Sequence, residues 1–146
     1  MEERRRTSRV PGDLFASQAR AAVEKHVSDA RTDSAVWKLS PNAAWVRLPR
    51  EDGSWHYLGL KRHLDWITGE AAMSREPVDL ENLPLWTGAP PADAPGYRIR
   101  LGELMHDEDR WWPVDADERE RRERLEWLAL QLSVKSATHF ARHPAL

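Results

Sequence analysis

A chain of 146 residues fits one ordinary domain and is long enough to bury a core unaided. It contains no cysteine, which excludes disulfide staples and thiolate chemistry. A net charge of -2 and a pI near 6.3 lack the basic bias of a non-specific nucleic-acid binder.

The first ten residues carry Arg4, Arg5, Arg6 and Arg9 and read as a disordered basic tail. A secretory signal would continue into an apolar run of roughly 7–15 residues. Here Val10-Pro11-Gly12-Asp13 follows instead, so a cytoplasmic location is expected. No stretch approaches the roughly 20 apolar residues of a membrane span, so no membrane partner is expected.

Residues 11–146 predict a single α+β domain. Asp13 follows the Pro11-Gly12 break and can cap a helix. Phe15, Ala19, Ala22, Val23, His26 and Val27 then recur at helical spacing, which predicts a helix over 14–30. Alternation at Ala35, Trp37 and Leu39 marks a first strand, Ala44 to Leu48 a second and Trp55 to Leu60 a third. Glu51-Asp52-Gly53 between the last two is a hairpin signal. A two-residue Asp-Gly turn would set Val46 opposite Gly59. A three-residue loop with Gly53 in the left-handed region sets Val46 opposite Leu58 and Ala44 opposite Leu60. That register gathers the aliphatic side chains on one face, and a slip of one residue would reverse the faces. It leaves Trp45, Arg47, Trp55 and Tyr57 on the other face.

Residues 63–69 suit a strand or a turn. From 77 to 96 the chain holds Pro77, Pro84, Pro90, Pro91 and Pro95 without a sustained period. This predicts a long Pro-rich loop, held at its middle by Leu83, Leu85 and Trp86. Tyr97-Arg98-Ile99-Arg100-Leu101 alternates as a strand with one apolar and one basic face. An acidic turn, His106-Asp107-Glu108-Asp109, and then Trp111-Trp112-Pro113 follow. Asp115 and Glu118 form a D-x-x-E helix start. The helix is expected to reach about Lys135, burying Leu125, Leu128 and Leu132. Its first turns, 117–124, are all charged and are expected to project away from the core. A short last helix covers 138–142. The elements together predict an antiparallel sheet of about four to five strands, with N-terminal and C-terminal helices packed on one face.

The block from Tyr97 to Leu104, followed by Asp109-Arg110-Trp111-Trp112, resembles an R-x-R-x-G…D-x-W-W block in a family of small bacterial domains of unknown function. The resemblance covers mainly residues 97–135. It implies that the block follows a helix and an antiparallel sheet and precedes a helix. The family carries no established activity. Proteins of this kind are suspected of immunity-like or other interaction roles, which implies a bacterial binding protein here.

Eight tryptophans, against two tyrosines and two phenylalanines, imply either a core of flat side chains or a contact surface. Trp111 and Trp112 are neighbours on extended chain and should point to opposite sides. Arg98 and Arg100 share one strand face. They can grip a carboxylate or phosphate, or pair with Glu103, Asp107 or Asp109. The acidic turn offers oxygen ligands of the kind Mg²⁺ takes, but adjacent side chains cannot all converge on one ion, so a solvated turn is expected. His139 and His143 have the spacing of a helical metal pair without the accompanying Glu, and Pro144 follows at once. Surface histidines are expected there. His56 has the chemistry of a general base but no nucleophile is tied to it by sequence.

The candidate binding residues are therefore Trp45, Tyr57, Arg98, Arg100, Trp111 and Trp112. No catalytic residue, metal ligand or cofactor is assigned. The expected function is non-enzymatic recognition of a partner protein through a Trp-rich face, with nucleic acid disfavoured by charge. The alternative is a small enzyme taking an anionic substrate between the Arg98/Arg100 strand and the His106–Asp109 turn.

Overall fold

Consecutive hairpins build the sheet, and the two long helices lie on one side of it. The computed structural model describes residues 10–89, 91, 95–114 and 117–143. Helix α1 spans Gly12–His26, with Pro11 at its N-cap rather than Asp13. A proline suits the start of a helix, where its missing N–H has no partner to lose. The helix stops short of Ala30. Val27 is extended, and Ser28–Arg31 forms a 3₁₀ turn that still buries Ala30.

Strands β1 (Val36–Ser40), β2 (Ala43–Pro49), β3 (Trp55–His63), β4 (Trp66–Ser74) and β5 (Gly96–Arg100) pair in that order. A two-residue strand, β6 (Trp112–Pro113), pairs with the start of β4. Among the described residues the sheet is six-stranded and every named pairing is antiparallel.

The β2–β3 register sets Val46 opposite Leu58 and Ala44 opposite Leu60. Arg50 N–H donates to Ser54 O at 2.9 Å, closing a loop of Glu51, Asp52 and Gly53. Gly53 has φ +89°, a conformation that costs other residues a Cβ clash. The aliphatic face of this hairpin continues through Ile67, Ala71 and Met73 of β4 and through Tyr97 and Ile99 of β5. It meets Phe15, Ala19 and Val23 of α1 and Leu125, Leu128 and Leu132 of α3 (Glu118–Arg142). Each large aliphatic side chain buried here contributes roughly 1.5–3 kcal/mol relative to exposure.

Strand β4 is longer than the sequence suggests. It runs through Gly69, Glu70, Ala71 and Ala72, which are weak strand formers, and is buried from Ile67 to Ser74. Ladders to β3 and β5 on its two sides hold it, so tertiary context overrides propensity. Leu101 does not end β5 but opens a short helix α2 (Leu101–His106), which closes at Asp107 with φ 58°. The Pro-rich segment is fastened to the outer edge of β5. Trp86 N–H donates to Arg98 O, Arg98 N–H donates to Pro84 O, and Leu85 bridges to Arg98. Residues 90 and 92–94 of that segment lie outside the described residues.

Helix α3 is continuous to Arg142, without the expected break after Lys135, because Ser136 and Phe140 extend its buried stripe. Its N-cap is Asp117, whose carboxylate accepts from Glu120 N–H at 2.9 Å. Its charged first half does not wholly leave the core. Arg121 is buried, and its Nε donates to Gln18 at 2.8 Å. Val10 also departs from the expected tail: it is buried, and its carbonyl accepts from Arg62 at 2.7 Å. Residues 1–9, the rest of that tail, fall outside the described residues. Among the described residues no helix is long and apolar enough to cross a membrane.

Candidate functional site: a cationic sheet face lined by tryptophan

Side chains alternate along a strand, so the residues between the core positions leave from the sheet face opposite the two long helices. The pairings place Trp45, Gly59, Glu70 and Arg100 in one row across β2, β3, β4 and β5. Lys61 and Arg98 flank that row. At its centre stands Glu70, which has no solvent exposure. One of its carboxylate oxygens takes Arg100 Nε at 2.9 Å and Lys61 Nζ at 3.2 Å. The other faces Arg98 Nη1 at 3.4 Å. Removing a carboxylate from water costs several kcal/mol unless charged partners surround it, and here three do.

Those partners carry more charge than Glu70 neutralises. Arg100 Nη1 also donates to Asp109 at 2.6 Å, and Arg98 Nε donates to the Leu83 carbonyl at 2.9 Å. Among the described residues three cations therefore stand against Glu70 and Asp109, leaving one positive charge in surplus. Burial works against the Arg100 charge, but hydrogen bonding and attraction from Glu70 and Asp109 outweigh it and raise its pKa.

Indole rings frame the cluster. Trp111 lies over the Arg100 guanidinium at 5.2 Å and near the Lys61 ammonium at 6.0 Å, both cation–π arrangements. Trp45 lies flat across Gly59, where a Cβ would collide with the ring and stand 2.7 Å from the Ala44 carbonyl. Farther along the same face, Arg47 covers Trp55 at 5.2 Å, and Trp66 is half exposed opposite His63.

Of the six residues named from sequence, the structure brings Trp45, Arg98, Arg100 and Trp111 together. Tyr57 shares their face but is buried beneath Leu83 and Val78. Its hydroxyl bonds Ser74 Oγ at 3.0 Å and accepts Val78 N–H at 3.0 Å, so it anchors the incoming loop. Trp112 points to the helix side, where it meets Trp127 edge-on at 5.8 Å. Lys61 and Glu70 were not singled out from sequence. The available signal was that Glu70 is the one charged residue between Trp66 and Ser74.

The acidic turn is exposed from His106 to Asp109, and Asp109 is the member that reaches Arg100. Among the described residues no group of three or more His, Cys, Asp or Glu side chains is placed to hold a metal ion. His139 is not a surface histidine. It packs edge-on against Trp86 at 4.5 Å and Tyr97 at 5.7 Å. Burial, then the charges of His143 and Arg142, push its pKa down to about 4. No protein-family model, curated protein or solved structure matches this chain.

Proposed function

We propose that the protein is a non-enzymatic binding module, acting in a bacterial cytoplasm, that recognises an acidic segment of a partner protein through this sheet face. The observation that carries the reading is the fully buried Glu70 beneath Lys61, Arg98 and Arg100, with a positive surplus between Trp45 and Trp111. Arginine and tryptophan dominate the energetics of protein interfaces, because both offer large contact area with directed polar groups. Glu70 fixes the arginine forks before a partner arrives, which lowers the ordering cost of binding. An immunity-like or accessory role fits such a module. The enzymatic reading is weaker, since the two carboxylates of this cluster are both committed to cations and are poorly placed to move a proton.

The test is parallel affinity capture from an extract of the host, with the wild-type chain and a Lys61→Glu/Trp111→Ala variant as baits. A partner retained by the wild type, lost by the variant and eluted by salt is expected. An identical set of retained proteins with both folded baits would refute the assignment of this face.

A further inference from the structure

The helix side of the sheet carries a concavity. It lies between the C-terminal end of α1, the Ser28–Arg31 turn, the β2–β3 hairpin and the C-terminal half of α3. Its volume is about 830 Å³, and small-molecule sites span roughly 300–1,000 Å³. Val27, Leu48, Leu58 and Phe140 supply apolar walls. His56 stands among them with its ring 4.5 Å from that of Phe140. The imidazole has no hydrogen-bond partner among the described residues. Burial and then the Arg50 charge hold the His56 pKa down to about 4, so at neutral pH the ring keeps a free lone pair for an N–H donor.

Among the described residues the charged groups lining the cleft are Asp29, Arg50, Glu51 and Asp52, with His26 beside them. Asp29 is paired with Arg50 at 3.1 Å, which leaves Glu51 and Asp52 as the surplus. Asp52 accepts both the Ser54 hydroxyl and the Ser54 N–H, at 2.5 and 2.9 Å, and these bonds keep its carboxyl below its ordinary range. The mouth is therefore negative among the described residues, the walls combine those apolar side chains with the hydroxyls of Ser28, Thr32, Ser34, Ser133 and Ser136, and the unpartnered imidazole of His56 lines the cleft.

We infer that this cleft binds a small amphipathic ammonium ion, its apolar body against Phe140, Leu48 and Leu58 and its charged end between Asp52 and His56. A cation gains from the surplus of acids, and an ammonium donates both to a carboxylate and to a neutral imidazole. An anion of the same shape meets the same walls but is repelled at the mouth. The site is independent of the tryptophan face, which lies across the sheet.

Hexylammonium, hexanoate and hexanol serve as matched probes, titrated into the ¹⁵N-labelled full chain at neutral pH and constant ionic strength. For ligands of this size a dissociation constant of about 1 mM is within the usual efficiency range. Hexylammonium should shift the amides of Leu48, His56 and Phe140 and bind at least about tenfold more tightly than hexanoate. Glu51→Lys, on an exposed turn, should cut that preference to less than about twofold while the spectrum stays folded. His56→Gln should weaken hexylammonium more than hexanol, and Arg122→Ala, at an exposed position of α3 outside the cleft, should leave all three unchanged. Equal or tighter binding of hexanoate, shifts centred on another surface, or no saturation with hexylammonium would each overturn the assignment.

Discussion

Glu70→Gln is the sharpest test of the sheet-face network. The substitution keeps size and shape but removes the charge that three cations share, and it directs an amide N–H₂ at one of them. Breaking a buried ion pair from one side costs roughly 3–5 kcal/mol. Lys61, Arg98 and Arg100 keep 28%, 20% and 20% of their side-chain exposure, so water can reach them after the change. Asp109 also remains on Arg100. The expected loss is therefore at or just below the bottom of that range, about 2–3 kcal/mol. For a chain of this length that lowers Tm by about 5–10 °C. Urea unfolding followed by far-ultraviolet circular dichroism measures it directly, with the slope m unchanged. A loss below about 0.5 kcal/mol, the range of ordinary surface substitutions, would refute the view that Glu70 organises the cluster.

Gly53→Ala should lose about 1 kcal/mol by thermal melting, because nothing crowds a Cβ there and the φ of +89° alone opposes it. Arg121→Ala should cost more than about 1 kcal/mol by leaving Gln18 unpaired under α3, whereas exposed Arg122→Ala should stay within about 0.5 kcal/mol; equal values would contradict the buried placement of Arg121. His56 and His139 have folded pKa values of about 4 against an ordinary 6.5, so between those limits the unfolded chain binds more protons. Stability from this source is complete above pH 6.5, falls as pH drops towards 4, and levels below it; the slope of Tm in that window should flatten in a His56→Gln/His139→Gln variant.

The parts of the fold legible in the sequence are those where one face is apolar and the other polar. Val46 opposite Leu58 follows from such alternation, as does the split of Arg98 and Arg100 from Tyr97 and Ile99. Strand β4 was legible only as a strand or a turn over 63–69, and its second half was not, because both of its faces are covered, which erases the alternation, and because Ala71 and Ala72 carry no strand preference. With it went Glu70, whose meaning lies in three residues brought in from β3 and β5. Arg98 and Arg100 were readable as a pair, with Asp109 among their candidate partners, but Glu70, the partner they share, was not, since ion pairing across strands leaves no spacing in the chain. Trp45 and Trp111 stand out in the sequence as candidate contact residues, but nothing in it shows that they flank one cluster. Tyr57 looked equivalent to Trp45, and only the covering loop distinguishes them.

The adjacent indoles of Trp111 and Trp112 raise a question of pairing specificity. A shift of β6 by one position would exchange their sides, yet each side would still receive an indole. Side-chain type therefore discriminates poorly between the two alignments, which leaves the backbone to decide. Two fasteners bracket the pair: Thr68 Oγ1 donates to Arg110 O at 3.0 Å, and Val114 N–H donates to Asp65 O at 2.8 Å. Pro113, lacking an N–H, cannot replace Val114 as donor if the chain slides. A strand of two residues thus takes its alignment from hooks at its ends, and the twin tryptophans are free to serve two different surfaces from one point of attachment.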